Sequence, residues 1–229
     1  MGDNVPQWIL PMEILINTPS RSDGVSIEIE KSYRNKGCCY IEDLGHRTLQ
    51  KPNARVIVST ACVLFHRFYS FQSFKVHDRH IMSVTCLFLA CKIEESPKPL
   101  EALVSAALKS SSNKPANDKE LSECREKVII AERILLHTLG FELQVRHPYA
   151  CRAHLVKEKL KSYISEERRV ELNQLALNFI NDSFRITLCL QYPCDEIAVS
   201  AVFLAILGME LVPLPASWAP IIEGEREKE

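Results

Sequence analysis

Residues Cys86–Ser96 read C-L-F-L-A-C-K-I-E-E-S. The first six are small or apolar, and Ile81-Met82-Ser83-Val84 leads into them with no charged residue between. A helix that is apolar on every side has to be enclosed by other elements. Lys92, Glu94 and Glu95 then arrive together, and Ser96-Pro97 stops the helix, because proline disfavours helical backbone in the residue before it. Charges at this point serve either the solubility of a helix end or contact with something outside the chain.

Working outward, Asp78 is placed to cap a helix over Ile81–Ile93. Before it, Val56, Ala61, Leu64, Phe65 and Phe68 recur near the helical period, predicting a helix over Asn53–Phe74 that Pro52 opens. Ile27–Leu49 carries the same spacing. After it, helices are predicted over Leu100–Leu108 and Arg125–Leu139, the latter closed by Gly140. Lys109–Glu123 between them is polar and reads as a long surface loop. His147-Pro148 marks a break, and helical patterns resume over Tyr149–Ile164, Glu166–Leu188 and Asp195–Leu207. Met1–Ser26, with Pro6, Pro11 and Pro19, reads as irregular. Strand-type alternation is nearly absent, so the chain is predicted to be all-α.

The apolar helix recurs. Ser83–Ala90 overlies Ala198–Ala205 at a shift of 115 residues with four identities, and Leu64–Tyr69 overlies Phe179–Phe184 at the same shift. At that shift Lys92 falls on Leu207 and Glu95 on Glu210. The fold therefore does not demand a lysine at the end of this helix. The second copy has its first three helices and is predicted to lack the last two.

Glu132 poses the same problem as Lys92. It sits in V-I-I-A-E-R-I-L-L-H-T-L, beside Val128, Leu135, Leu136 and Leu139 on the apolar face of its helix. A carboxylate beside a core is unfavourable unless paired. Lys92 and Glu132 either pair with each other or offer opposite charges to a partner's backbone.

The totals exclude several classes. Across 229 residues the net charge is −1, which argues against a broad phosphate-binding surface and sequence-specific nucleic-acid recognition. The nine cysteines form no C-x-x-C, and no secretion signal opens the sequence, so free thiols in a reducing compartment are expected. No apolar run is long enough to span a membrane. Seven glycines leave little material for a phosphate-cradling loop, and no nucleophile-elbow or H-E-x-x-H pattern is present, so no catalytic residue is assigned. The seven histidines are scattered and read as structural. Cys189-x4-Cys194, with His147 and Cys151, lacks the tight paired spacing of a metal site, so neither metal nor cofactor is expected.

L-F-L-A-C-K-I-E-E-S-P-K-P-L resembles the L-A-x-K-x-E-E-x-P signature of the cyclin box. F-H-R-F-Y-S-F-Q-S-F, V-I-I-A-E-R-I-L-L-H-T-L-G-F-E-L, H-P-Y and N-D-S-F-R-I-T-L-C-L-Q-Y also match that family. T-P-S-R-S-D-G, at residues 18–24, resembles an element of the transcriptional cyclins of the T and K type, plant T-type cyclins in particular. The resemblance implies tandem cyclin boxes. It places an N-terminal extension at 1–29, a five-helix first box at 30–143, a shortened second box at 147–210 and an irregular charged tail at 211–229. It implies a non-catalytic subunit that binds and activates a nuclear cyclin-dependent kinase acting on the C-terminal domain of RNA polymerase II. Carried over by position, the kinase-binding residues are Lys92, Glu95, Glu132 and Phe141. The rival readings are a cyclin-like general transcription factor, expected to be basic, and a helical scaffold that binds no kinase.

Overall fold

The computed structural model describes residues 8–49, 53–111, 117–161 and 163–211, and among these there are helices and turns but no strand. Two compact units divide the chain. One comprises the residues up to Val145 together with Phe184–Gln191, and the other Arg146–Ser183 and the residues from Tyr192.

In the first unit, α1 (Met12–Ile16) and α2 (Pro19–Ser22) form where an irregular segment was expected. The prolines that break longer helices here begin short ones: Pro11 precedes α1 and Pro19 opens α2, positions where a missing N–H is not needed. Five longer helices follow: α3 (Ile27–Thr48), α4 (Ala54–Phe71), α5 (Arg79–Ile93), α6 (Leu100–Ser111) and α7 (Asp118–Thr138). Pro52, expected to open α4, lies outside the described residues.

Although the C-L-F-L-A-C stretch of α5 is buried apart from half-buried Phe88, α4 is the more enclosed helix, with every residue from Ser59 to Ser70 buried. Two glycines let α3 lie close to it. A Cβ on Gly37 would sit 2.2 Å from Cζ of Phe65, and one on Gly45 would sit 2.4 Å from Cγ2 of Val58. Asp78 caps α5 as its sequence position implies, its carboxylate accepting from the amides of His80 and Ile81 at 2.9 Å each.

The expected loop over Lys109–Glu123 is corrected at both ends. α6 runs through Ser111, and α7 begins at Asp118. The cause is a capping box. Asn117 accepts from the Glu120 amide at 2.8 Å, and the Glu120 carboxylate accepts from the Asn117 amide at 3.1 Å. Polar residues there are the solvated first turn of a helix, with Cys124 and Val128 the first to be buried.

The second unit contains α8 (Tyr149–His154), which continues as a π-helical turn over Leu155–Lys159, then α9 (Glu166–Ser183) and α10 (Cys194–Gly208). Leu155, Val156, Leu160, Leu172, Ala176, Val202, Ala205 and Ile206 form its core. Two expected boundaries change. The helix predicted to reach Ile164 loses α-helical form at Leu155, and α9 ends at Ser183 rather than Leu188. Beyond Ser183 the chain is recruited to the first unit. There Phe184 and Leu190 are buried, Arg185 forms an ion pair with Glu42 at 2.9 Å, and a 3-10 turn spans Thr187–Leu190. These tertiary contacts outweigh the helical spacing of the sequence.

The internal repeat is present in the backbone. α5 and α10 have the same length and begin and end 115 residues apart. Each ends in the same way. The Ser96 amide donates to Cys91 and the Glu95 amide to Lys92; the Leu211 amide donates to Ile206 and the Glu210 amide to Leu207. Both are Schellman closures with the glutamate at the left-handed position, φ +49° for Glu95 and +53° for Glu210.

Candidate functional site

α5 and α7 bring Lys92 and Glu132 together. Lys92 Nζ lies 2.7 Å from Oε1 and 3.0 Å from Oε2 of Glu132, so one ammonium donates to both carboxylate oxygens. The side chains are 44% and 15% exposed respectively. Val128, Leu135 and Leu139 hold α7 by burial, which leaves Glu132 at the margin of that apolar face. Lys92 occupies the last turn of α5, where the helix dipole favours a cation. Its ammonium also stands 4.1 Å from the centroid of the Phe88 ring, one turn earlier, an attractive geometry. Ring and carboxylate thus fix the lysine from two sides while nearly half of it faces solvent.

Glu94 and Glu95 separate in role. Glu94 accepts a 2.6 Å hydrogen bond from the Thr60 hydroxyl, which ties the end of α5 to α4. Glu95 is exposed, directed outward by its left-handed backbone. The repeat at Glu210 therefore reflects a shared helix closure rather than a shared need for charge.

Phe141 lies beyond the end of α7. Gly140 and Phe141 both take positive φ, +59° and +61°, and the Phe141 amide donates to Leu136 while that of Gly140 donates to His137. This closure turns the Phe141 ring outward to 63% exposure, edge-on to His137 at 5.8 Å. Ile130, on α7, is a second large apolar side chain left exposed. The structure thus joins Lys92 to Glu132, places Glu95 three residues on, and sets Phe141 at the end of the same helix as Glu132.

A buried polar network at the start of α3 was not read from the sequence. Glu30 accepts from the Thr18 hydroxyl at 2.7 Å, from Arg21 at 3.2 Å and from Arg34 at 3.0 Å. Arg34 also donates to the carbonyls of His66 and Tyr69, and the Ser20 hydroxyl accepts from the Phe74 amide. T-P-S-R-S-D-G is therefore the latch that holds the N-terminal segment on α3 and α4. The spacing of Glu30 and Arg34, four apart on one helix, was the signal available for it. Burial lowers the affinity of the Arg34 guanidinium for its proton, and Glu30 opposes that shift.

His66, one of the histidines read as structural, is fully buried between the Cys38 thiol at 3.3 Å and the Phe184 carbonyl at 3.0 Å. Burial, reinforced by the Arg34 charge, lowers its pKa to about 3, so it is neutral near pH 7. None of the nine cysteines is in a disulfide, and burial raises the thiols of Cys38, Cys86 and Cys189. Among the described residues no group of three or more metal-ligating side chains gathers, and no helix is long and apolar enough to cross a membrane.

Comparison with known proteins places these features in a family. Residues 16–144, which include α3–α7, the Lys92–Glu132 pair and Phe141, match the family described as Cyclin, N-terminal domain. Cyclin-T1-2 of Arabidopsis thaliana is 38% identical over 205 residues, covering 88% of this chain and 43% of its own length. Human Cyclin-K is 36% identical over 205 residues, covering 87% of this chain and 33% of its own length. The chain therefore spans less than half the length of either relative. Among solved structures, a chain of the yeast RNA Pol II CTD kinase CTDK-1 complex superposes with a TM-score of 0.77 at 17% identity, covering 93% of this chain and 66% of that one. A chain of the yeast TFIIK (Kin28/Ccl1/Tfb3) complex gives a TM-score of 0.66 at 18% identity, covering 88% and 87%. At those identities the likeness concerns the fold alone, and it is the helical fold described above. With the N-terminal domain matched over more than half of its residues, the chain belongs to the cyclin family.

Proposed function

We propose that this cyclin is the non-catalytic, activating subunit of a nuclear cyclin-dependent kinase of the transcriptional type, and that its kinase phosphorylates the C-terminal domain of RNA polymerase II. The observation that carries the reading is the Lys92–Glu132 pair, bonded at 2.7 Å yet partly open to solvent, in a member of the cyclin family. Similarity to cyclins T and K, and the likeness of fold to a subunit of an RNA Pol II CTD kinase complex, support the transcriptional assignment.

In this reading Lys92, Glu95, Glu132 and Phe141 form the kinase-binding surface. Lys92 and Glu132 satisfy backbone groups at the end of the kinase's regulatory helix, and Phe141 supplies an apolar anchor beside them. Activation is a shift of population. The cyclin binds the active placement of that helix more tightly than the inactive one, which lets the kinase's own Lys–Glu ion pair form. No residue of this chain touches the nucleotide.

Co-purification with candidate kinases tests the proposal. Wild type is expected to retain an active kinase, while Lys92→Glu and Glu132→Lys lose it. Equal recovery and activity in all three proteins would reject the interface, and recovery of no kinase by wild type would favour a scaffold.

A further inference from the structure

Two Ser/Thr-Pro dipeptides occur in the sequence, Thr18-Pro19 and Ser96-Pro97. Such dipeptides are the minimal target of proline-directed serine/threonine kinases, and the structure treats them oppositely. Thr18 is 1% exposed, and its hydroxyl is committed to Glu30 at 2.7 Å. A phosphate there would meet a buried carboxylate, a like-charge contact with no room for solvent. Thr18 is a structural residue.

Ser96 is half-buried, and its hydroxyl makes no hydrogen bond with a described residue. It follows the closure of α5 and opens the non-helical stretch 96–99, S-P-K-P, in which Pro97 and Pro99 are exposed. The proline after it biases its backbone to the extended form that a kinase active site accepts. Its amide donates to Cys91, which folds Ser96 back over the last turn of α5, the turn that carries Lys92. Lys92, four residues before Ser96, and Lys98, two residues after it, are the cations on either side of it in the chain.

We propose that Ser96 is a phosphorylation site for a proline-directed serine/threonine kinase, and that phosphate there draws Lys92 away from Glu132 and releases the cyclin's kinase partner. The second clause rests on the docking role given to Lys92 and Glu132 above. In the reaction the Ser96 oxygen attacks the γ-phosphorus of a nucleoside triphosphate, and the bond to the diphosphate breaks. The hydroxyl proton passes to the modifying kinase's base, leaving phosphoserine and nucleoside diphosphate. The new group carries a charge of roughly −1.5 to −2, against −1 on Glu132, and offers three acceptor oxygens to the lysine. Glu94 and Glu95 and the negative end of α5 repel it, so the phosphate is stable there only by taking Lys92 and Lys98 as partners.

The test uses the full chain, a recombinant proline-directed kinase and Mg·ATP. Mass spectrometry is expected to find one phosphate on wild type, mapped to Ser96, and none at that position on Ser96→Ala. Phosphate on Thr18 alone, or on neither residue, would overturn the site. The Lys92 side-chain nitrogen, followed by NMR, is expected to shift on modification; an unchanged signal would overturn the exchange of partners. Retention of the partner kinase is expected to fall by about tenfold or more in the modified chain, as for loss of a desolvated charge pair. Unchanged retention would overturn the release. If unmodified wild type retains no kinase, the docking proposal and the release clause fail together, while the mass and NMR readouts still decide the site and the switch of Lys92.

Discussion

Exchanging the two charges of the central pair separates its structural role from its recognition role. Lys92→Glu alone puts a second carboxylate beside Glu132, whose side chain is only 15% exposed. Two carboxylates about 4 Å apart repel by about 4 kcal/mol at an effective dielectric of about 20. Most of that is avoided, because the position of Lys92 is 44% exposed and a glutamate there can swing into solvent. What remains is the unpaired state of Glu132 together with the lost pair, about 1–2 kcal/mol. The attraction of the ammonium to the Phe88 ring, held at 4.1 Å, is also lost and adds roughly 0.5 kcal/mol. For a domain of this size the melting temperature should fall by about 3–8 °C. Glu132→Lys should fall by a similar amount. The double variant Lys92→Glu/Glu132→Lys restores opposite charges at the same two positions and should recover most of the stability, giving a coupling energy of about 1 kcal/mol in the cycle. It should not recover the kinase, because the charges now face the partner with their signs reversed. Calorimetry and co-purification on the same four proteins read the two quantities. Recovery of both stability and kinase binding in the double variant would refute the reasoning, since the pair would then act only as an internal brace. Single variants as stable as wild type would refute the structural half.

Glu95→Gly is expected to stabilise the fold by roughly 0.5–1 kcal/mol by removing the left-handed strain, and Glu95→Val to destabilise it, so that melting temperatures rank Gly above Glu above Val. The glycine variant should nevertheless retain less kinase, and a variant both more stable and fully competent would remove Glu95 from the docking surface. Gly37→Ala is expected to lower stability by about 1–3 kcal/mol, because the enclosed Phe65 ring 2.2 Å from the new methyl cannot retreat. Gly45→Ala, which meets half-buried Val58, should be milder, and the reverse order in denaturant melts would count against this account of helix contact. His66, with its pKa of about 3 in the fold against 6.5 as the ordinary value, binds a proton more readily when unfolded. Its contribution is therefore intact above about pH 6.5 and lost as pH falls toward 3, about 2 kcal/mol by pH 5. Denaturation at pH 7 and pH 5 on wild type and His66→Gln checks this, and an equal loss in both proteins would reject it.

How far the sequence discloses this molecule depends on whether a feature is local. Asp78 before an apolar run and Gly140 after one are signals held within a few residues, and the backbone obeys both. The repeat is equally legible because burial of α5 and α10 constrains composition at every position, and their ends coincide at the inferred shift. Local signals can also be outvoted. Lys109–Glu123 is polar enough to resemble a loop, yet one reciprocal cap between Asn117 and Glu120 makes helix of its second half. Phe184–Leu188 keeps helical spacing and still leaves α9, because burying Phe184 and Leu190 and pairing Arg185 with Glu42 are long-range gains that no window of sequence contains. The site divides in the same way. That Lys92 and Glu132 are anomalous can be read from their apolar neighbours, but that they meet cannot, since 40 residues separate them and only the packing of α7 on α5 sets the distance. The opposite fates of Glu94 and Glu95, adjacent and chemically identical, follow from one backbone angle. Glu94, which caps α5 at φ −87°, turns inward to Thr60, whereas a left-handed Glu95 turns outward. The repeat gives Glu95 a counterpart in Glu210 and gives Lys92 none, so the closure of the helix, which both copies share, accounts for the left-handed backbone but not for the lysine.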